Sequence, residues 1–218
     1  MENNNILLTC EHGGNKNPNN LKIPRRVLES HEGFDIGALD VAKFLARELG
    51  TALFYNEISR LVLDFNRSLH HPKVYSSFSV GMTLREKEKL EHLYLAHRKN
   101  IKDEISFMGK HTIHLAIHSF TPVFNQVKRN ADIGLLYDPA RLREKEIALC
   151  MRDFLRMLGF KVRMNYPYLG KADGLTKYLR NCFSDKEYAG IEIELNQEII
   201  SSNLVKDALY SSIKYLWM

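Results

Sequence analysis

Residues 190–197 are Gly-Ile-Glu-Ile-Glu-Leu-Asn-Gln, and apolar and polar side chains alternate along this stretch. Strict alternation is typical of a β-strand, in which successive side chains point to opposite faces. One face is apolar and the other polar, the first made of Ile191, Ile193 and Leu195 and the second of Glu192, Glu194 and Asn196. Two carboxylates in line on so apolar a strand are costly to bury without a cation or hydrogen-bond donors. The segment is therefore either an edge strand with a hydrated face or a strand that holds a carboxylate at a metal or proton-transfer site.

Short apolar runs elsewhere in the chain predict further strands, and longer runs with helical spacing predict helices between them. The other predicted strands are 6–10, 52–55, 61–65, 112–118 and 161–164. The predicted helices are 35–49, 84–107, 140–158, 175–182 and one that begins at residue 203. Strands that alternate with helices indicate an α/β sandwich around a largely parallel sheet. No linker, repeat or low-complexity segment divides the sequence, so we predict a single domain over residues 1–218.

The composition excludes several classes of protein. The chain has 218 residues, of which 44% are hydrophobic and 26% charged, so it is neither a disordered chain nor a fibre. No apolar run approaches the roughly 18–20 residues that span a bilayer, and the polar N-terminus does not resemble a signal peptide. The net charge of +5 is modest and scattered, so we expect no nucleic-acid or membrane partner. We predict a cytoplasmic protein.

Polar side chains stand where the predicted strands end, which is where ligands gather in parallel α/β sheets. His12 follows the first strand and precedes Gly13-Gly14, so it either fixes a turn or faces a cleft. His118 ends the strand 112–118, whereas His114 lies in its middle and is expected to be a hydrogen-bonded interior residue. Asp35 opens a predicted helix, and taken alone it is interpreted as a helix cap.

Three arginines surround these segments. Arg60 and Arg67 bracket the apolar run 61–65, and Arg129 lies further along the chain. Arginines usually lie on surfaces with only their aliphatic stems packed. Arg67, which follows Asn66, is nevertheless placed to bind a substrate carboxylate through two parallel hydrogen bonds.

With these residues, the sequence resembles the N-formylglutamate amidohydrolase family. The matching stretches, in order along the chain, are Thr9-Cys10-Glu11-His12-Gly13-Gly14, Asp35-Ile36-Gly37-Ala38, the run 59–67 (SRLVLDFNR), His118-Ser119-Phe120-Thr121-Pro122, Arg129 with the run 132–138 (DIGLLYD), and Ile193-Glu194-Leu195-Asn196-Gln197. The resemblance implies a three-layer sandwich, with helices on both faces of a mostly parallel mixed sheet, similar to zinc exopeptidases, the phosphorylase/hydrolase-like fold and peptidoglycan amidases.

The resemblance also implies one Zn²⁺ per chain, or another divalent transition metal, held by His12, His118 and a carboxylate. Zinc peptidases of similar fold take a glutamate three residues after the first histidine, where this chain has Asn15. Cell-wall amidases use an acid at the start of the following helix, where Asp35 stands. The resemblance therefore favours Asp35 as the third ligand, with Glu11 as the alternative carboxylate.

The remaining roles follow the same resemblance. They are Glu194 as the general base, Arg60 or Arg129 as the group that stabilises the oxyanion, and Asn66, Arg67, Ser119 and Asn196 as substrate-binding residues. The implied reaction is metal-dependent hydrolysis of a small-molecule N-acyl amino acid, above all of N-formyl-L-glutamate to formate and glutamate. The alternatives are an amidase that acts on a peptide or cell-wall amide and a non-catalytic domain that retains the fold. The oligomeric state is left open.

Overall fold

The computed structural model describes residues 5–216. The polar residues 1–4, on which the expectation of no signal peptide largely depends, lie outside the described residues. The strands are β1 (Asn5–Cys10), β2 (Leu53–Tyr55), β3 (Thr112–Phe120), β4 (Val123–Phe124), β5 (Val127–Lys128), β6 (Ile133–Leu136), β7 (Val162–Met164) and β8 (Tyr188–Asn196). The helices are α1 (Arg25–Leu28), α2 (Ala38–Leu49), α3 (Leu84–Met108), α4 (Leu142–Met157), α5 (Leu175–Cys182) and α6 (Asn203–Tyr215).

Six of these strands form a mixed sheet in the order β2-β1-β3-β8-β6-β7. Each neighbouring pair is parallel except β6 and β8, which are antiparallel. β4 and β5 form a separate two-stranded hairpin. The prediction of a mostly parallel mixed sheet is confirmed.

Helices cover both faces of the sheet because each face carries apolar side chains. On one face the sheet packs with buried residues of α2, α4 and α6 in the largest hydrophobic cluster. On the other face Leu7 and Tyr188 pack with Ile101 and Ile105 of α3 and with residues of α5. The three-layer sandwich is confirmed. Within residues 5–216, none of the helices combines the length and the hydropathy that a bilayer span requires.

Strand β8 has the alternation that its sequence predicts, but it lies in the middle of the sheet. Ile191, Ile193 and Leu195 are fully buried in the large cluster. β8 pairs with β3 on one side and with β6 on the other, so the alternative of an edge strand with a hydrated face is wrong. Its carboxylates therefore point from a central strand towards the face that α3 and α5 cover.

Two sequence predictions of local structure are wrong. The run 61–65 forms turns and not a strand, because its backbone bonds locally: the N–H groups of Val62 and Leu63 donate to the carbonyl of Ser59 at 2.9 and 3.3 Å. Its apolar side chains are nevertheless buried, in a smaller cluster that includes residues of α3. Asp35 does not cap α2, because this helix begins at Ala38 and its N-cap is Gly37, whose φ is 81°. Short strand β6 and the β4–β5 hairpin were not predicted.

Candidate active site

A cavity of about 230 Å³ lies at the carboxyl ends of the parallel strands. Eight of the residues to which the sequence assigns a role in the site line it, and so does Glu192: the eight are His12, Asp35, Arg60, Asn66, Arg67, His118, Ser119 and Glu194. Ligands bind at this edge of open α/β sheets because the loops that leave the strands converge there. The predicted convergence of distant segments is therefore present.

Three buried side chains in this cavity could hold a metal ion. His12, Asp35 and His118 each offer one ligand atom, and these atoms lie within 4.8 Å of one another. Asp35 Oδ2 lies 2.8 Å from Nδ1 of His118 and 3.5 Å from Nδ1 of His12. Nδ1 of His12 is buried and has no hydrogen-bond partner among the described residues. This set of two imidazoles and one carboxylate, with Nδ1 of His12 free to bind a metal, fits a catalytic zinc site. Such a site has three protein ligands and keeps a fourth position open.

The loop after β1 brings His12 into this position. The backbone N–H of Gly13 donates to the carbonyl of Asn56 at 2.9 Å, and the N–H of Asp35 donates to the carbonyl of His12 at 2.9 Å. A Cβ at Gly14 would lie 2.7 Å from the carbonyl oxygen of Glu57. The glycines are therefore needed because the loop packs directly on the chain that follows β2.

Asp35 lies at the centre of the cluster. Its second oxygen pairs with the guanidinium of Arg60. Burial disfavours the charged carboxylate, but Arg60 and the two histidines outweigh it and hold the pKa of Asp35 well below its usual range. Asp35 is therefore a carboxylate at neutral pH, as a metal ligand must be.

Each histidine is also held from its far side by a second carboxylate. Nε2 of His12 lies 2.7 Å from Oδ1 of Asp64, and Nε2 of His118 lies 3.1 Å from Oε2 of Glu11. Burial opposes a charged imidazole, but the surrounding carboxylates raise the pKa of both histidines. Glu11 is the alternative carboxylate ligand. It contacts Nε2 of His118, whereas Asp35 contacts Nδ1, and it does not line the cavity.

Glu194 lies beside His118, because these residues are register partners on β8 and β3. It is buried, and its Oε2 has no hydrogen-bond partner among the described residues. Burial raises the pKa of Glu194 to about 7, although the charge of nearby His118 opposes this shift. A carboxyl group that titrates near neutrality can both accept and return a proton.

The predicted substrate-binding residues divide into two groups. Arg67 lines the cavity and donates from Nη1 to the carbonyl of Asp173 at 3.3 Å, and Asn66 Oδ1 accepts the N–H of Leu175 at 2.7 Å. Ser119 also lines the cavity, and its hydroxyl donates to the carbonyl of Ile36 at 2.9 Å.

Asn196 and Arg129 do not line the cavity. Asn196 is buried, and its amide donates to the carbonyl of Ala131 at 2.9 Å and accepts the N–H of Glu198 at 3.0 Å. Arg129, next to the β4–β5 hairpin, stacks on three aromatic rings, of Phe120, Phe124 and Tyr168. Because Tyr168 lines the cavity, Arg129 lies just behind its rim.

Sequence reasoning gave no role to several residues that shape the site. Asp64 lies within the run 59–67 that carries the family resemblance, and in the structure its Oδ1 lies 2.7 Å from Nε2 of His12. Tyr168, Leu169 and Asp173 form a wall of the cavity from the loop before α5. An irregular loop carries no periodic pattern, so the sequence held no signal for this wall. His114 is the interior residue that the sequence predicts, since it hydrogen-bonds Thr9 and the hydroxyl of Tyr188, each at 2.7 Å.

Comparisons with known proteins give a family and several structures of similar fold. The family model of N-formylglutamate amidohydrolase matches residues 4–201. A comparison with curated proteins gives no significant match. A gene product from Agrobacterium tumefaciens is similar in structure, with a TM-score of 0.79 and 28% identity over 98% of this chain and 89% of that one.

Two further structures share the fold. N-formylglutamate amidohydrolase from Ralstonia eutropha has a TM-score of 0.74 and 14% identity, over 100% of this chain and 94% of that one. N-acetylmuramoyl-L-alanine amidase from Clostridium difficile has a TM-score of 0.51 and 14% identity, over 99% and 98%. The fold is therefore the zinc-exopeptidase-like fold of these amidases. Because the family model spans residues 4–201 of 218, the chain belongs to the N-formylglutamate amidohydrolase family and is an amidohydrolase.

Proposed function

We propose that the protein is a zinc-dependent hydrolase of a small N-acyl amino acid, with N-formyl-L-glutamate as the favoured substrate and formate and glutamate as products. The observation that carries this proposal is the convergence of His12, Asp35 and His118 beside Glu194 in one cavity. The proposal includes one Zn²⁺, or another divalent transition metal, per chain. It includes no nucleic-acid or membrane partner and places the enzyme in the cytoplasm.

The three residues that would hold the cation line the cavity, where water and the substrate amide can meet. When bound, the cation supplies Lewis acidity, which makes water a nucleophile at neutral pH. Glu194 accepts the proton of the attacking water at its unpaired Oε2. Oxygen then bonds to the acyl carbon, the C–N bond breaks, and the same carboxyl group returns the proton to the leaving nitrogen.

Arginines are assigned to the charges that the substrate carries or develops. Arg60 lies in the cavity against Asp35 and is the better placed of the two candidates to stabilise the oxyanion, since Arg129 lies behind the rim. Within residues 5–216, the guanidinium of Arg67 makes one long contact to a backbone carbonyl and lies 3.9 Å from Asp64, so most of its donors have no partner there. Arg67, with the amide N–H groups of Asn66, is proposed to bind the substrate carboxylate.

The small volume of the cavity, about 230 Å³, supports a small substrate over a cell-wall strand. Purified protein should contain about one zinc per chain and should hydrolyse N-formylglutamate faster than an N-acetylmuramoyl-L-alanine peptide. The reverse preference would favour the cell-wall alternative, and no hydrolysis of either amide by zinc-loaded protein would favour a non-catalytic domain.

Glu194→Gln is the sharpest test of the reaction. The variant keeps the shape of the cavity but cannot accept a proton, so kcat should fall by about 10²–10⁴-fold with the zinc content unchanged. Glu146→Gln, at an exposed position of α4, is the matched control and should retain both zinc and turnover. A Glu194→Gln protein with the wild-type kcat would exclude the mechanism.

A further inference from the structure

Glu11 is a fully buried carboxylate that the reaction described above does not use. It follows β1 directly, and none of its surface is exposed. Burying a carboxylate is costly unless a donor or a cation lies beside it. The group beside Glu11 is the imidazole of His118, whose Nε2 lies 3.1 Å from Oε2.

The two edges of this imidazole face different carboxylates. Asp35 lies 2.8 Å from Nδ1, on the side where His12 also converges, whereas Glu11 faces Nε2 on the opposite side. A neutral imidazole carries its proton on one nitrogen and its lone pair on the other. Asp35 is also an acceptor for this imidazole, since its Oδ2 is hydrogen-bonded to Nδ1, whereas Glu11 faces Nε2 at an ion-pair distance without an aligned hydrogen bond. A cation at the point shared by Nδ1 and Asp35 would take the place of the proton on Nδ1. The carboxylate of Glu11 would then hold the remaining proton on Nε2.

The backbone of Glu11 has a separate function, because its carbonyl accepts a hydrogen bond from the Asn56 amide at 2.9 Å. That contact holds the loop after β1 and does not require a carboxylate side chain. The same arrangement recurs at His12, whose Nε2 lies 2.7 Å from Asp64. Each imidazole of the cluster thus has its own carboxylate behind it.

We propose that Glu11 is a positioning residue that fixes the orientation and the protonated nitrogen of His118, so that Nδ1 faces the point shared with His12 and Asp35. Glu11 is then not a ligand itself. This inference depends on the metal of the proposed function but not on the identity of the substrate.

The test compares Glu11→Gln and Glu11→Ala with wild type for zinc affinity, measured by competition with a chelator. Removing such an outer carboxylate should weaken zinc binding by about 10- to 100-fold, with Glu11→Gln less affected than Glu11→Ala because an amide oxygen still accepts a hydrogen bond. Long-range ¹H–¹⁵N spectra should show the His118 proton on Nε2 in zinc-loaded wild type and a broadened or changed signal in Glu11→Ala.

Glu144→Gln is the matched control, because Glu144 is also fully buried but bonds Arg180 instead of a histidine. It should lower stability without changing zinc affinity or the His118 signal. If Glu11→Ala does not fold, the isosteric Glu11→Gln decides. Wild-type zinc affinity and an unchanged His118 signal in a folded Glu11 variant would overturn the proposal, as would a loss of affinity equal to that in the control. Failure to hydrolyse N-formylglutamate would contradict the proposed substrate and leave this measurement intact.

Discussion

At the scale of single residues, the candidate site gathers more carboxylates than the proposed metal ion would need. Asp35, Asp64 and Glu11 surround two histidines, and Arg60 compensates part of the charge. Among these four buried carboxylates, only Glu194 has a raised pKa, because burial raises it to about 7. The neighbouring histidines, with Arg60 at Asp35 and Asp64, outweigh burial and lower the pKa values of Glu11, Asp35 and Asp64. That contrast supports the proposed roles, with Glu194 as the base and the other three carboxylates as groups that bind or orient.

The raised pKa of Glu194 has a consequence for stability. The folded state holds this proton up to about pH 7, whereas an unfolded glutamate releases it near 4.5. The stability that the protonated group contributes is therefore complete below pH 4.5 and is lost as the pH rises through about 7.

We accordingly expect chelator-treated Glu194→Gln to be more stable than wild type at pH 8, with the difference shrinking towards pH 5. Urea denaturation of both proteins at the two pH values measures it. Glu146→Gln, on the exposed face of α4, should match wild type throughout. A constant difference between pH 5 and pH 8 would show that Glu194 is not protonated in the folded protein.

At the scale of elements, the strands and helices that bury a periodic face could be predicted from the sequence. The helix 175–182 was predicted with its observed bounds, and β8 begins two residues before the predicted strand, which starts at Gly190. The run 61–65 misled the prediction because a short apolar run shows that side chains are buried, but not whether the backbone pairs with a sheet. Val62 and Leu63 are indeed fully buried, in a turn region.

Strand β6 was missed for a related reason. It has four residues, one of them a glycine, so it is too short to show a period. Gly134 is nevertheless required there, because a Cβ would overlap the carbonyl oxygen of Tyr166 and lie 3.2 Å from Cβ of Glu194.

Gly134→Ala should destabilise the fold by about 1–3 kcal/mol and lower kcat, since the displaced strand lies directly against Glu194. Thermal denaturation and turnover of N-formylglutamate measure the two effects. Gly81→Ala is the control, since a Cβ at Gly81 meets no atom within 4 Å. Equal stability of the two variants would contradict the close packing of β6.

A buried ion pair joins α4, α5 and β8. Both oxygens of Glu144 accept from Nε of Arg180, at 2.8 and 3.1 Å, and Oε1 also accepts the backbone N–H of Gly190 at 3.0 Å. Removing one partner of such a pair leaves the other buried and uncompensated.

Glu144→Ala should therefore lower the free energy of unfolding by about 3–5 kcal/mol, as measured by urea denaturation. Glu146→Ala, two residues along the same helix but exposed, should change it by no more than about 0.5 kcal/mol. Similar losses in the two variants would show that the ion pair does not stabilise the sandwich.

At the scale of the whole molecule, the segments that carry the site were easier to predict from the sequence than the loops that form the walls of the cavity. His12, Asp35 and His118 are short motifs at strand ends or before a helix, and a parallel sheet places such positions at one edge. The role of Asp64 and the wall around Tyr168 depend on contacts between loops, which residue patterns do not encode. Asn196 was predicted to bind substrate because its motif also contains Glu194, which lines the cavity. The side-chain amide of Asn196 instead forms hydrogen bonds with backbone groups.

The same convergence ties distant parts of the chain together, since Asp35 and His118 are 83 residues apart. A cation that binds the folded state alone stabilises it by about 2.7 kcal/mol at 100 times its dissociation constant. For a domain of this size that corresponds to an increase of about 5–10 °C in Tm.

We expect zinc to raise the Tm of chelator-treated protein by this amount. Ca²⁺, which prefers six or more oxygen ligands, should have no effect. Asp35→Asn should abolish the increase, because an amide cannot replace the central carboxylate. A zinc-dependent increase that survives in Asp35→Asn would mean that zinc stabilises the fold through other residues.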